Sequence, residues 1–231
     1  MIKAAFTSPD ERENVLSYLK QKQYKRVLEI GGGLWSWADE VVTHHFDIVP
    51  IRNSKKVIYK GDIEDSFARL DLIADVAEEG EFDYLICSHC LEHVGNIKRV
   101  LRLFQDVAKE GFISVPNKYT ELSYAVSMGN EGLDRCKLTG HIRGFAPHRW
   151  VFGANLKEGQ FVLTAVPKFP FIEKDAELDG IIEQFNYLNG ELCIHWEGDI
   201  PCYVYDDTYF DYSDPQKAIE AFRRIIAEGF C

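Results

Sequence analysis

The segment that most constrains this chain is Val27-Leu28-Glu29-Ile30, which runs directly into Gly31-Gly32-Gly33. Four largely apolar residues ahead of a glycine run read as a short buried strand ending in a tight turn. Glycine there frees the backbone to bend sharply and to approach a ligand closely. A helix is expected next, over residues 35–42, so the unit is strand, turn, helix. Short strands follow near 46–49 and 57–59, then a helix over 66–77 and a strong apolar strand over 82–87. Residues 94–108 carry Ile97, Val100, Leu101, Phe104 and Val107 at helical spacing, and 112–115 is the next strand. Upstream, Ser8, Pro9 and Glu11 mark a helix start whose apolar face is Val15, Leu16 and Leu19. Such alternation specifies an α/β fold: a doubly wound, mostly parallel sheet with helices on both faces.

Length and composition narrow the partners. A chain of 231 residues suffices for one core, and a single domain is expected over 1–231. A cofactor half spans about 1–116, with an acceptor loop and C-terminal part over about 117–231. Strands are expected near 161–167, 192–196 and 203–205, and a closing helix from Asp214-Pro215 to Gly229. The net charge of −11 disfavours a nucleic-acid partner, because phosphate backbones are held by clustered Lys and Arg. No run approaches the length needed to span a bilayer, so no membrane partner is expected. Six cysteines without a dense framework read as reduced thiols in a cytoplasmic protein.

In an open parallel sheet, ligands bind beyond the carboxyl ends of the strands, where the strand order switches. Four successive strands bring suitable groups to that edge. The glycine turn comes first, with Glu29 just before it. Asp47 lies in the second strand, placed to accept ribose hydroxyls, and Asp62 follows the third, placed for an adenine amino group. Ser88 and His89 end the fourth. A pyrophosphate cofactor would want the third glycine of G-x-G-x-x-G and a positive field, but that position is Ser36 and the nearby charges are acidic. S-adenosylmethionine has no phosphate and carries a net positive charge, so Coulomb attraction favours it as the cofactor.

VLEIGGG, FDIVP, GDIED, FDYLICSHCLEHV and FISVPN together resemble the ordered motifs of class I S-adenosylmethionine-dependent methyltransferases, closest to the type 11 group. The resemblance implies that Glu29, Gly31, Gly32 and Gly33 meet the methionine portion and Asp47 the ribose. It also implies that Asp62 and Ile63 hold adenine and that Ser88 and His89 flank the sulfonium. Two departures stand out: Trp35 at the end of the glycine turn, and a stretch over 50–56 too short for the usual linking helix.

The cluster His89-Cys90-Leu91-Glu92-His93 has the spacing of one zinc-peptidase motif, but that motif lies within a helix and His89 closely follows a strand. It also resembles an E-x-x-E-H pattern of metal-assisted relatives, with His89 replacing the first glutamate and His141 available to complete the set. The metal-free reading is preferred and no metal ligand is assigned. For a hydroxyl acceptor a base must remove a proton. His93 and His141 are the catalytic candidates, with His148 a further base and Arg143 an anchor. The expected function is O-methylation of a small-molecule or glycan-type hydroxyl. The alternatives are a non-catalytic cofactor-binding module acting through a partner, and metal-dependent 2′-O-methylation of RNA.

Overall fold

The structure, a computed structural model, describes residues 1–8, 11–33, 36–49, 55–122, 143–145, 147–168, 190–205 and 208–227. Its elements are β1 (Ile2–Thr7), α1 (Glu11–Lys22), β2 (Val27–Ile30), β3 (His44–Asp47), β4 (Val57–Lys60), α2 (Leu70–Glu79), β5 (Tyr84–Ser88), α3 (Ile97–Val107), β6 (Glu110–Pro116), α4 (Lys118–Leu122), β7 (Trp150–Lys157), β8 (Gln160–Pro167), β9 (Glu191–Glu197), β10 (Cys202–Val204) and α5 (Pro215–Ala227). One ten-stranded sheet runs in the order β10-β8-β1-β9-β6-β5-β2-β3-β4, with β7 pairing with β8 off this path. Strands β4, β3, β2, β5 and β6 are mutually parallel. The chain winds outward from β2 to β4, then returns to β5 and β6, so the topological switch lies between β2 and β5.

Side-chain alternation explains the two covered faces. Leu28 and Ile30 of β2 join Leu85, Cys87, Ile113 and Val115 against α3, while Val27 joins Tyr84, Ile86 and Phe112 against Val15 and Leu19 of α1. Strand β2 is therefore buried along its whole length, as a parallel central strand must be. Helix α3 starts where the Asn96 side chain accepts a hydrogen bond from the Arg99 N–H (3.0 Å), then buries Ile97, Val100, Leu101, Leu103, Phe104 and Val107. Helix α5 closes a third cluster with Val151 and Val166 of the β7–β8 pair. No described helix is long and apolar enough to cross a membrane.

Three features differ from the sequence expectation. The helix expected over 35–42 is reduced, over the described residues 36–42, to a single turn in which Val41 and Val42 donate to the Ala38 carbonyl. The Ser36 hydroxyl accepts from the Ala38 N–H, and the β-branched Val41 and Val42 disfavour helix. Second, β7 occupies a stretch for which no strand is expected. It turns into β8 through Glu158 (φ 50) and Gly159 (φ 79), both in the left-handed region, as a two-residue hairpin requires. Glutamate is a poor signal for that position. Third, Ile2–Thr7 forms a strand inserted between β9 and β8. The described parts of the β3–β4 connection, 48–49 and 55–56, hold no helix, in keeping with its short length.

Candidate functional site

A cavity of about 410 Å³ opens at the switch point, bounded by the carboxyl ends of β2, β3, β4 and β5. Of the expected site residues, Gly31, Gly33, Asp47, Asp62, Ile63, His89 and His93 line it. Ile48, Val49, Glu64, Cys90 and Arg149 complete much of the wall without having been expected there.

The glycine turn is held open by β3. Gly31 (φ 75) donates its N–H to the Phe46 carbonyl (3.0 Å), and Gly33 (φ 60) donates to Asp47 Oδ2 (2.6 Å). Asp47 Oδ1 accepts from the Val49 N–H (2.7 Å), so this buried carboxylate braces both sides of the cavity floor. Each oxygen retains a second lone pair for a ligand hydroxyl. Asp62 is exposed at the rim, and its Oδ1 accepts from the Glu64 N–H (2.9 Å). Ile63 is buried beside it and supplies apolar wall. The Glu64 carboxylate accepts from the N–H groups of Gly95 (2.6 Å) and Asn96 (2.7 Å) at the entry to α3. An acid is favourable there because helix N-termini leave amides unpaired. Its only sequence signal is its place two residues after Asp62.

Three expected residues, Glu29, Gly32 and Ser88, sit off the wall. Glu29 is 1% exposed, with its carboxylate packed directly beneath Gly32; a Cβ on Gly32 would overlap it. The Ser88 hydroxyl hydrogen-bonds Ser114 (2.6 Å) on β6, so it turns along the sheet and away from the cavity.

The histidine cluster follows from the end of β5. His89, at φ 52, places Nε2 2.8 Å from Glu191 Oε1 and Nδ1 3.2 Å from Glu92 Oε1. Arg12 also bonds Glu191. Burial pushes the His89 pKa down, but the hydrogen bond to Glu191 and the negative charges of Glu92 and Glu191 outweigh it and hold it up at about 9. Despite its own desolvation, Glu191 is correspondingly lowered, chiefly by His89. A base raised on folding adds stability that is complete below its unfolded pKa, about 6.5, and is lost as pH rises through about 9. The melting temperature should therefore fall more steeply between pH 7 and 9.5 in the wild type than in His89→Gln. Identical slopes in thermal melts would refute this ion-pair assignment.

Next in the chain, Glu92 is wholly buried, and neither carboxylate oxygen has a hydrogen-bond partner among the described residues. His93 stands on the cavity wall with its ring 4.7 Å, edge to face, from that of His148. Desolvation lowers the His93 pKa, against the opposing charge of Glu92. His148 Nδ1 lies 2.6 Å from Glu121 Oε2, and Lys168 donates to Glu121 Oε1 (2.5 Å). The other His148 nitrogen points toward Glu92 Oε1 at 3.9 Å. Glu92, His93 and His148 each bring one ligating atom within 4.8 Å of the others, a set able to hold a divalent cation. His141 lies outside the described residues. Arg143 is fully buried and donates to the Leu122 carbonyl (2.9 Å), so it anchors its own segment.

The residues fit S-adenosylmethionine. Three carboxylates, Asp47, Asp62 and Glu64, face a cavity with a glycine floor, and among the described residues no cluster of Lys and Arg stands on its wall to hold a phosphate. A parallel sheet with such a switch point is the frame of a class I S-adenosylmethionine-dependent methyltransferase. The chain belongs to the methyltransferase-domain family, whose model matches residues 6–151. It is an enzyme of that class, using S-adenosylmethionine as methyl donor. No curated protein matches it significantly. Among solved structures it is similar to the plantazolicin methyltransferase BpumL in complex with a triazolic desmethylPZN analog and SAH, at 12% identity and TM-score 0.43, covering 82% of this chain and 84% of that one. It is also similar to the N-terminal domain of EvdMO1 with SAH bound, at 11% identity and TM-score 0.39, covering 84% and 83%. The methyltransferase domain of bacterial CtHen1 aligns at 10% identity and TM-score 0.36, covering 80% and 97%.

Proposed function

We propose that the protein methylates a hydroxyl of a small-molecule or glycan-type acceptor, with His93 as the base that takes the hydroxyl proton. The observation that carries this is the position of His93, on the wall of the cavity whose lining fits the cofactor. The cofactor supplies an electrophilic methyl group on a good leaving group. The remaining work of the protein is alignment, exclusion of water and removal of one proton. Desolvation favours neutral His93, the form that accepts a proton. His148, steadied by Glu121, packs against its ring and limits its rotation. Asp47 and Asp62 would hold the nucleoside, and the Gly31–Gly33 turn the amino-acid end.

A second reading is favoured by the buried Glu92 carboxylate, which accepts no hydrogen bond among the described residues and meets only histidine nitrogens. A divalent cation held by Glu92, His93 and His148 would supply Lewis acidity toward an acceptor oxygen, the arrangement a metal-assisted hydroxyl methylation of RNA ends would use. Glu121 on His148 Nδ1 would then serve to fix which nitrogen faces the ion.

One experiment separates the two. Methyl-labelled S-adenosylmethionine is supplied with a panel of small hydroxyl compounds, glycans and short RNAs, with and without prior treatment with a chelator. Turnover of a small hydroxyl acceptor that survives chelation is expected. Loss of turnover on chelation, restored by Mn²⁺ or Zn²⁺, would transfer His93 from base to metal ligand. Methylation only at nitrogen, sulfur or carbon would sink both readings.

A further inference from the structure

Two buried titratable side chains lie side by side under the glycine turn. Glu29 and His45 are each 1% exposed, and neither has a hydrogen-bond partner among the described residues. They face each other across β2 and β3, as direct neighbours in the parallel register. His45 Nδ1 lies 3.2 Å from Glu29 Oε2, close enough for an ion pair, and a small ring rotation would complete a hydrogen bond. The other ring nitrogen lies 3.8 Å from Asp39 Oδ1, and Asp39 is bonded to Lys56 at the surface. The imidazole therefore spans from an exposed carboxylate to a buried one. On its far side the Glu29 carboxylate is capped by the backbone of Gly32.

Packing does not explain this pair. Apolar residues of similar volume in place of a buried charged pair are often neutral or stabilising, whereas a buried carboxylate without donors is costly. The same β2 face beside it is apolar, with Val27 among Val15, Ala38 and Val42. A carboxylate retained there serves something beyond the pair, and the turn it supports leads directly onto the cavity wall at Gly31 and Gly33.

We infer that His45 is a positioning residue for the methyl donor: it holds the Glu29 carboxylate beneath Gly32, with its negative charge toward the ammonium of the cofactor's amino-acid end. The inference rests on the assignment of the cavity to S-adenosylmethionine. Glu29 acts through the turn, by its field and by fixing the path of the Gly31–Gly33 backbone, since it does not itself line the cavity. His45 contributes the donor that keeps the carboxylate from swinging away, and Asp39 steadies the ring from outside.

The test uses two ligands that share the adenosine but differ at the amino-acid end. S-adenosylhomocysteine carries the ammonium and carboxylate, and 5′-methylthioadenosine lacks both. Calorimetric titration of the full chain compares wild type, His45→Leu, His45→Asn and Glu29→Gln. In His45→Leu, Kd for S-adenosylhomocysteine should rise about 10- to 100-fold, as for loss of a hydrogen bond to a charged group. Kd for 5′-methylthioadenosine should stay within about twofold, which also shows that the variant is folded. His45→Asn, which keeps an N–H at the Nδ1 position, should recover most of the loss. Glu29→Gln should reproduce it, and adding His45→Leu to Glu29→Gln should cost no more. Equal weakening of both ligands would mean a general structural role and overturn the inference, as would unchanged S-adenosylhomocysteine binding. Failure of the wild type to bind either ligand would instead overturn the cofactor assignment, and this inference with it.

Discussion

Replacing His93 by alanine is expected to lower kcat on a hydroxyl acceptor by about 10²- to 10⁴-fold, the usual contribution of a positioned base. Affinity for S-adenosylmethionine should change by no more than about twofold. The expectation follows from its place: His93 is on the cavity wall, whereas the turn and the carboxylates that would grip the cofactor belong to other strands. Among the described residues, no neighbouring histidine is free to take over the proton. The His148 ring lies behind His93, with Nδ1 committed to Glu121, and His89 is engaged by Glu92 and Glu191. Steady-state kinetics beside a direct binding measurement would check it. A variant that keeps kcat removes His93 from the chemistry, while one that loses cofactor affinity in proportion makes it a binding residue.

The second large effect is expected from Gly31→Ala. Gly31 has φ 75, and an added Cβ would stand 2.8 Å from Cys90 Cβ and 3.1 Å from its Sγ. The left-handed conformation costs a non-glycine residue about 1–2 kcal/mol, and overpacking adds about 1–3 kcal/mol. Relief requires the turn to move, which breaks the Gly31 N–H bond to Phe46 and displaces the wall the cofactor would touch. Cofactor affinity should fall about 30-fold or more, as about 2 kcal/mol or more is lost. Cys90 shares the same cavity wall, so trimming it in Gly31→Ala/Cys90→Ala should restore part of the binding while the backbone cost remains. An alanine variant that binds S-adenosylmethionine like the wild type would show that the turn is not part of the site.

The parallel half of the sheet was legible because each strand carried its own signal. Continuous apolar runs such as 82–87 can be satisfied only when both faces are covered, and α3 announced itself through apolar residues at helical spacing. The acids at strand ends were legible too, since polar side chains closing an apolar run must face the sheet edge. Other features depended on non-local partners. Nothing in Ile2–Thr7 distinguishes a strand from an approach to α1, because its hydrogen bonds come from β9, nearly two hundred residues on. The convergence of Glu92 with His148 arises where the backbone entering β7 meets the turn after β5, through the Arg149 N–H to the Glu92 carbonyl (2.8 Å). The off-wall position of Glu29 was hidden for a related reason: strand periodicity assigns it a face, but only the reduced turn after Gly33 shows what covers that face.

The placement of β1 has a consequence for how this molecule comes into being. Residues 2–7 are made long before their ladder partners 192–196, and β9 is also the strand that closes the open side of β6. At about 5–20 residues per second, β1 waits about 10–40 s for β9, and for about the last 4–15 s of that interval β6 presents an unpaired edge. Completion of the sheet is therefore a late event that depends on β9, far downstream of both strands it joins. The nascent chain needs protection during that interval more than the finished protein does, since the exposed β6 edge is the place where two unfinished copies would join.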